Sequence, residues 1–186
     1  MVAQEHGDPD QYLTFFVTGE EVAIHILQIK EVIAYRPATR IPAAPAFLRG
    51  VLNLRGAVVP VVDLALRMGL PEAPITKNSC IVVVEVFIGG RERELTWVGV
   101  LTEGVGQVID LSPGDIERPP TLGMRVELNA VVGLGRLEQR FVPILDLEAL
   151  LARSFDLGVV LGDTEPGEPI RALPAPAGGT ADPRPG

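Results

Sequence analysis

The sequence predicts an all-β fold in which two barrel-like lobes share a hydrophobic core and carry short helices. Valine and isoleucine dominate short apolar runs that glycine and proline separate, a pattern typical of many short strands. A segment, Gly50–Leu64, recurs in altered form at Gly133–Leu147. With 186 residues and 47% hydrophobic content, the chain can form one ordinary domain or two small units fused through a common interior.

The repeat indicates an internal duplication. Its two copies align without a gap, and the matched positions are Gly50/Gly133, Leu54/Leu137, Val59/Val142, Pro60/Pro143, Asp63/Asp146 and Leu64/Leu147. Asn53, Arg55 and Gly56 are replaced by other residues in the second copy. The shared positions therefore indicate architecture, and the unshared ones indicate function.

The first elements form a hairpin. Tyr12–Thr18 and Val22–Ile26 flank a Gly-Glu-Glu turn, as two antiparallel strands would. Ile26, Ile29 and Ile33 follow at a spacing that predicts a short helical turn, after which the segment enters a loop with two prolines.

Leu48–Val62 supplies two further strands around the Asn53–Gly56 turn. Asp63 and Asp146 each follow an apolar strand and precede a helical segment, so we expect both aspartates to be N-caps. Gly69 would end the first helix, because glycine adopts the left-handed conformation at little cost. The predicted helices are Leu64–Met68 and Leu147–Arg153.

The second half opens with a long strand. Cys80–Ile88 is a nearly unbroken apolar run, which predicts a strand buried on both faces. Gly89–Glu94 turns the chain, Leu95–Val100 returns, and Glu103–Leu111 continues the sheet. Repeated sheets of this kind close on themselves to hide their edges, which favours barrels.

The ends of the chain differ in composition from its middle. Residues 1–10 are polar and acidic, and we expect a flexible N-terminus without a secretion signal. Residues 156–186 are rich in proline, glycine and alanine, which predicts a disordered tail after a folded domain at residues 11–155. No apolar run is long enough to span a membrane, so we expect a cytoplasmic protein.

The composition disfavours several classes of function. A net charge of −8 repels nucleic acid and anionic lipid. One cysteine, Cys80, leaves no multi-thiolate metal site or internal disulfide, and its place in an apolar run predicts a buried structural residue. His25 is one of two histidines, and no catalytic triad, phosphate loop or metal motif is present. We therefore expect no enzyme activity, no cofactor and no metal.

Arg55 is the candidate functional residue. It lies between Leu54 and Gly56 in an otherwise apolar strand-turn-strand segment, so packing should hold its guanidinium in place. Spacing alone leaves two roles open, a structural link to a carboxylate or carbonyl, or an anchor in a protein interface.

Several of these motifs together resemble the CheW-type chemotaxis coupling proteins. The resemblance is carried by Val32-Ile33, by Asn53-Leu54-Arg55-Gly56 within Phe47–Gly56, and by Val58–Leu64 with its Pro-x-x-Asp-Leu ending. It continues in the second half through Val98–Leu101 and Phe141–Leu147, and spans about Gln11 to Ala152.

The resemblance implies two five-stranded, SH3-like barrels and a non-catalytic adaptor. Proteins of this family bridge the cytoplasmic tips of chemoreceptors to the regulatory domain of a CheA-type histidine kinase in membrane-associated arrays. Arg55 and Glu31 match family positions on the receptor- and kinase-coupling surface, with Asn53 and Gly56 in the same turn. Gly50 matches a glycine whose replacement should disturb that surface.

Two departures concern partner specificity. Ala57 stands where the family often has a basic residue, and the tail has no counterpart in the family pattern. A different class of function stays open beside the adaptor, a regulatory domain that binds a small ligand in a closed pocket between the lobes.

Overall fold

A computed structural model describes residues 8–88, 94–120 and 130–152. Within these residues, two short α-helices accompany a chain of strands, and no helix is long and apolar enough to cross a membrane. The strands are β1 (Asp10–Val17), β2 (Glu20–His25), β3 (Ile29–Ala34), β4 (Leu48–Leu54), β5 (Ala57–Asp63), β6 (Cys80–Ile88), β7 (Glu94–Thr102), β8 (Gly104–Leu111), β9 (Ile116–Glu117), β10 (Val131–Leu137) and β11 (Arg140–Leu145). The helices are α1 (Leu64–Arg67) and α2 (Leu147–Ala152).

The strands form two sheets, which we call the six-stranded lobe and the five-stranded lobe. Their orders are β8-β1-β2-β11-β10-β9 and β3-β6-β7-β5-β4. The sixth strand of the larger lobe, β9, has only two residues, and a single bridge between Thr39 and Val51 takes its place in the other lobe. The predicted all-β fold of two SH3-like lobes is confirmed.

The two halves of the chain exchange hairpins between the lobes. The β1–β2 hairpin joins the C-terminal strands, where Ala23 pairs in parallel with Ile144. The β6–β7 hairpin joins β5, where Gly99 pairs in parallel with Val61. Each lobe therefore contains strands from both halves, and neither half can form its sheet alone.

The two copies of the repeat have the same strand register and equivalent backbone hydrogen bonds. Gly50 faces Val61 across β4–β5, and Gly133 faces Ile144 across β10–β11. Both strand pairs carry a register shift just before that glycine. The backbone N–H of Asp63 donates to the Phe47 carbonyl at 2.7 Å, as that of Asp146 does to Ala130 at 2.6 Å.

The core has a central part and one small part in each lobe. The largest cluster joins the two sheets with both helices, and it includes Phe15, Ile24, Val82 and Leu147, each 0% exposed. Smaller clusters fill each lobe, around Ile81 in one and Val142 in the other. The expectation of a common interior is therefore met, and burial of this apolar area is the main force that holds the lobes together.

The helix ends agree with the predicted capping. Asp63 Oδ1 accepts the Leu66 N–H at 3.1 Å, and Asp146 Oδ1 accepts the Ala149 N–H at 3.0 Å. Gly69 follows α1 with φ 72°, in the left-handed region. Both aspartates and Gly69 therefore have the roles predicted for them.

The helical turn predicted for Ile26–Ile33 is wrong in its extent. A 3₁₀ turn covers Ile26–Gln28 only, and Ile29–Ala34 is strand β3. The isoleucine spacing misled because a bulge between Ile29 and Glu31 shifts the alternation of β3 by one residue. The predicted flexible N-terminus, the 89–93 part of the second hairpin's turn and the 156–186 tail lie outside the described residues, apart from Asp8, Pro9 and Asp10.

Candidate functional site

The turn that carries Arg55 has a defined conformation. Leu54 pairs with Ala57, so Arg55 and Gly56 form a two-residue hairpin loop with φ values of 52° and 87°. Positive φ at both central residues is the mark of a type I′ turn, which suits the twist of antiparallel strands. The Asn53 Oδ1 atom accepts the Gly56 N–H at 3.0 Å and fixes the turn from within.

Arg55 and Glu31 are brought together by this turn. The Arg55 guanidinium donates to Glu31 Oε2 at 3.1 Å, from the β4–β5 turn to strand β3. The Arg55 side chain is 78% exposed, whereas the Glu31 side chain is 23% exposed. Because an exposed ion pair contributes little to stability, its exposure favours a surface role over a structural one.

Arg36 is a third member of this cluster, and the sequence interpretation did not include it. Its guanidinium donates to the backbone carbonyl of Asn53 at 3.0 Å. Strand β3 and the residues after it are therefore tied to the Arg55 turn twice, through Glu31 and through Arg36. No local pattern could have identified Arg36, because its partner is a backbone atom in another strand.

Gly50 lies near these residues in sequence but has a different role. It is buried, with φ 135°, and a Cβ atom placed on it would lie 2.1 Å from the Thr39 carbonyl oxygen. Only glycine can adopt this conformation and allow the loop backbone to come so close. Gly50 therefore holds the wall of the five-stranded lobe, whereas Glu31, Asn53, Arg55 and Gly56 form one surface.

Arg49 forms a partly buried charge cluster beside Gly50. Its guanidinium donates to Asp63 Oδ2, with Nη2 at 2.9 Å, and to Glu72. Burial lowers the pKa of Arg49, but the hydrogen bond to Glu72 and the charge of Asp63 outweigh it and raise that pKa above its ordinary value. Asp63 thus caps α1 and accepts the arginine at the same time.

A second charge cluster involves Lys30, the residue before Glu31 on strand β3. Lys30 Nζ is 2.6 Å from Glu85 Oε2, and Trp97 Nε1 donates to Glu85 Oε1 at 3.0 Å. The hydrogen bond from Lys30, and then the one from Trp97, lower the pKa of Glu85. These contacts fix β3, β6 and β7 relative to one another and so hold the strand that carries Glu31.

The reactive side chains of the described part of the chain have local structural partners. His25 Nδ1 accepts the Leu27 N–H at 3.2 Å and caps the 3₁₀ turn. Cys80 is buried and contacts Thr102 Oγ1 at 3.1 Å, as expected of a structural residue. Within residues 8–88, 94–120 and 130–152, no group of three metal-ligating side chains comes together.

The space between the lobes bears on the ligand-binding alternative. The gap that Val17, Ala65 and Thr102 line has a volume of about 10 Å³, room for about one water molecule. A wider depression of about 500 Å³ opens to solvent between Phe16 and Val105 of the six-stranded lobe and the loop at Pro74. An open groove fits a protein segment better than a closed small-molecule site.

Comparisons with known proteins agree with this architecture. A family model described as the CheW-like domain matches residues 11–155. The chain is 32% identical to the chemotaxis protein CheW of Klebsiella aerogenes over 142 residues, which cover 76% of this chain and 81% of that protein. It is 31% identical to the chemotaxis protein CheW of Bacillus subtilis over 143 residues, covering 76% and 86%.

A solved structure resembles the whole fold. The crystal structure of the scaffolding protein TtCheW from Thermoanaerobacter tengcongensis matches with a TM-score of 0.66 and 28% sequence identity, over 76% of this chain and 92% of that one. Scaffold proteins of this kind are not enzymes, so the predicted lack of catalysis is confirmed with the predicted family. The chain belongs to the CheW-like family of chemotaxis coupling and scaffold proteins.

Proposed function

We propose that this protein bridges the cytoplasmic tips of chemoreceptors to a CheA-type histidine kinase and supports receptor control of that kinase in cytoplasmic arrays at the membrane. The observation that carries the proposal is the exposed Arg55–Glu31 pair, held on a fixed turn in a chain of the CheW-like family. A turn constrained by Asn53 and Arg36 presents the guanidinium with little loss of entropy on binding.

The receptor contact would combine the pair with an apolar surface. An amphipathic receptor helix needs a groove for its apolar face and charged residues that fix its register. The open groove between the lobes offers Val105, 42% exposed, together with Phe16 and Pro74. Arg55 and Glu31 offer one charge of each sign.

The kinase contact would use the ends of the barrels. The kinase regulatory domain belongs to the same fold family, and like folds can associate end to end. The folded unit at residues 11–155 is the part proposed to act, in line with the span of the family match. Each contact can be weak, because an array raises the effective concentration of its components.

Reconstitution with receptor-bearing membranes and the kinase tests the proposal. Kinase autophosphorylation should respond to receptor ligand only when this protein is added. Arg55→Glu places a second carboxylate next to that of Glu31. We expect this variant to lose most of the response of the kinase to receptor ligand. The free energy of unfolding should fall by less than about 1 kcal/mol, because the pair is exposed.

Glu138→Arg is the matched control, because Glu138 occupies the equivalent turn of the other lobe with φ 55° and is also exposed. It should leave coupling unchanged. Equal receptor control without the protein would refute the bridging function. A large loss of stability in Arg55→Glu would show that the pair is a structural link instead.

A further inference from the structure

A second candidate surface lies on the five-stranded lobe, between the β3–β4 crossover and the loop after α1. It is an open groove of about 460 Å³. Ala38, Ile41, Ala44 and Ile75 supply apolar lining, and arginine side chains lie among them. Ala38 packs in part on the small core of this lobe, and Ile41 and Ala44 pack in part on the central core, but the arginines belong to neither.

The groove is lined by arginines that form no ion pair, although the protein as a whole is acidic. Among the lysine and arginine side chains of the described residues, Arg36, Arg40, Lys77 and Arg118 form no ion pair. Arg36 and Arg40 both line this groove. The lining also includes Arg49 and Glu72, which neutralise one another. Two uncompensated cations therefore face the groove, although the whole chain carries a net charge of −8.

The wall of the groove has a defined backbone. The Ala44 N–H donates to the Ile41 carbonyl across Pro42 and Ala43, and Ala43 has φ 59°. Proline followed by a residue with positive φ is the pattern of a type II turn, in which alanine is less favourable than glycine. The chain thus keeps a mildly strained turn at the rim of the groove.

We propose that this groove binds an acidic peptide segment of a protein partner, in extended form, with carboxylates on Arg36 and Arg40 and small apolar side chains on the lining. Charge complementarity selects the carboxylates, since each guanidinium offers a forked set of donors. The net negative charge of the chain disfavours nucleic acid. The choice of a protein segment over a free metabolite rests on the proposed coupling function.

Arg36 connects this groove with the Arg55 turn. One of its nitrogens already donates to the Asn53 carbonyl at 3.0 Å, and its other donors are available to a ligand. A carboxylate bound in the groove would therefore immobilise the same side chain that holds the turn. Binding in the groove should reduce the motion of Asn53 and Arg55.

The test is an NMR titration of the full chain that follows the Nε–Hε signals of its arginines. The probe is the capped peptide Ala-Glu-Pro-Asp-Ala at millimolar concentration, and its matched control is Ala-Gln-Pro-Asn-Ala. We expect saturable shifts of the Arg36 and Arg40 signals with the acidic peptide only. Arg40→Gln should raise the dissociation constant roughly tenfold, the loss expected for one charged hydrogen bond.

Arg118→Gln is the control variant, because Arg118 is also exposed and unpaired but lies outside the groove. It should leave the dissociation constant unchanged. Equal shifts of Arg118, equal binding of the uncharged peptide, or equal shifts with inorganic phosphate would overturn the proposal. The assay contains no receptor or kinase, so failure of the groove is distinguishable from failure of the coupling function, which the reconstitution measures.

Discussion

The Asn53–Gly56 turn and the Arg136–Gln139 turn occupy equivalent positions in the two lobes, yet only the first has an arginine inside its two-residue loop. Arg55 pairs with Glu31 from that loop, whereas Arg136 stands on strand β10 and lies 3.9 Å from Glu117 of β9. Arg55 and Glu138 have similar φ values of 52° and 55°, but the residues after them differ, because Gly56 has φ 87° and Gln139 has no positive φ. The side-chain chemistry differs. The two lobes keep the same hydrogen bonds at the strand ends, whereas the side chains of the two turns have diverged.

The bonds that tie each turn to its neighbouring segment also differ in direction. In the five-stranded lobe, Arg36 of the crossover loop donates to the Asn53 carbonyl on β4. In the six-stranded lobe the arginine stands on the strand instead, and Arg136 donates to the Gly114 carbonyl of the loop at 3.3 Å. Each lobe thus has an arginine hydrogen bond between loop and strand, but the donor lies on the loop in one lobe and on the strand in the other. In the five-stranded lobe, the Asn53 side chain can therefore accept the Gly56 N–H.

Substitution of the equivalent glycines, Gly50 and Gly133, should give the largest difference in lost stability between the lobes. A Cβ atom at Gly50 would meet the Thr39 carbonyl at 2.1 Å with φ 135°, whereas one at Gly133 would meet the Ile116 Cγ2 atom at 2.6 Å. A backbone atom cannot move aside, but a methyl group can. We expect Gly50→Ala to lower the free energy of unfolding by about 3 kcal/mol and Gly133→Ala by about 1 kcal/mol. Urea unfolding of both variants measures this, and equal losses would contradict the proposed role of the Thr39 contact.

Substitution of the two N-cap aspartates should give the second largest difference in lost stability. Asp63 caps α1 and also accepts a hydrogen bond from Arg49, whereas Asp146 caps α2 and accepts none from the arginines of the described residues. Asp63→Ala removes a cap and leaves a partly buried cation with one partner fewer, so we expect a loss of about 2 to 3 kcal/mol. Asp146→Ala should cost about 1 kcal/mol. Asp63→Asn separates the two effects, because it keeps the cap and removes the charge.

Acid should weaken the six-stranded lobe through Glu21. Burial raises the pKa of Glu21, but hydrogen bonds from Arg140 and Thr14 and the charge of Arg140 outweigh it, and the pKa lies below its ordinary value of 4.5. A carboxyl whose folded pKa is depressed stabilises the protein above its unfolded pKa, and this contribution disappears as the pH falls through the folded pKa. Glu21→Gln should therefore cost about 1.5 kcal/mol at neutral pH.

The same variant should differ little from the wild type well below pH 4.5. Glu85→Gln in the five-stranded lobe is the comparison, because its pKa is also lowered but its side chain is 24% exposed against 14% for Glu21. We expect Glu85→Gln also to lower the free energy of unfolding at neutral pH, but by less than Glu21→Gln does. Urea unfolding as a function of pH measures both, and a loss in Glu21→Gln that stays constant into acid would exclude this linkage.

Local features of the fold were predictable from the sequence, and long-range ones were not. Asp63 and Gly69 identified the ends of α1, because capping and left-handed backbone depend on neighbouring residues. The exchange of hairpins was not visible, because a repeat shows which segments are alike but not which ones pair. The contacts of Arg36 and Arg49 were missed for the same reason. The error at Ile29 arose from a bulge, which a pattern of alternation cannot show.

The two turns also allow a test of whether Arg55 lowers the stability of the fold. Asparagine before glycine is the preferred pair in a type I′ turn, and arginine at φ 52° is less favourable. Arg55→Asn should therefore stabilise the fold by about 0.5 kcal/mol, even though the exposed pair with Glu31 is lost. Glu138→Asn is the matched change in the other lobe, and we expect a smaller gain there, because Gln139 without a positive φ follows it instead of glycine.

Coupling should separate these two variants. Arg55→Asn should lose most receptor control of the kinase while its thermal transition rises slightly, and Glu138→Asn should keep full control. That result would mean that arginine is retained at the turn for its interface and against local stability, as functional positions often are. If Arg55→Asn lowered the thermal transition instead, the ion pair with Glu31 would be the reason for the arginine, and the difference between the two turns would be structural.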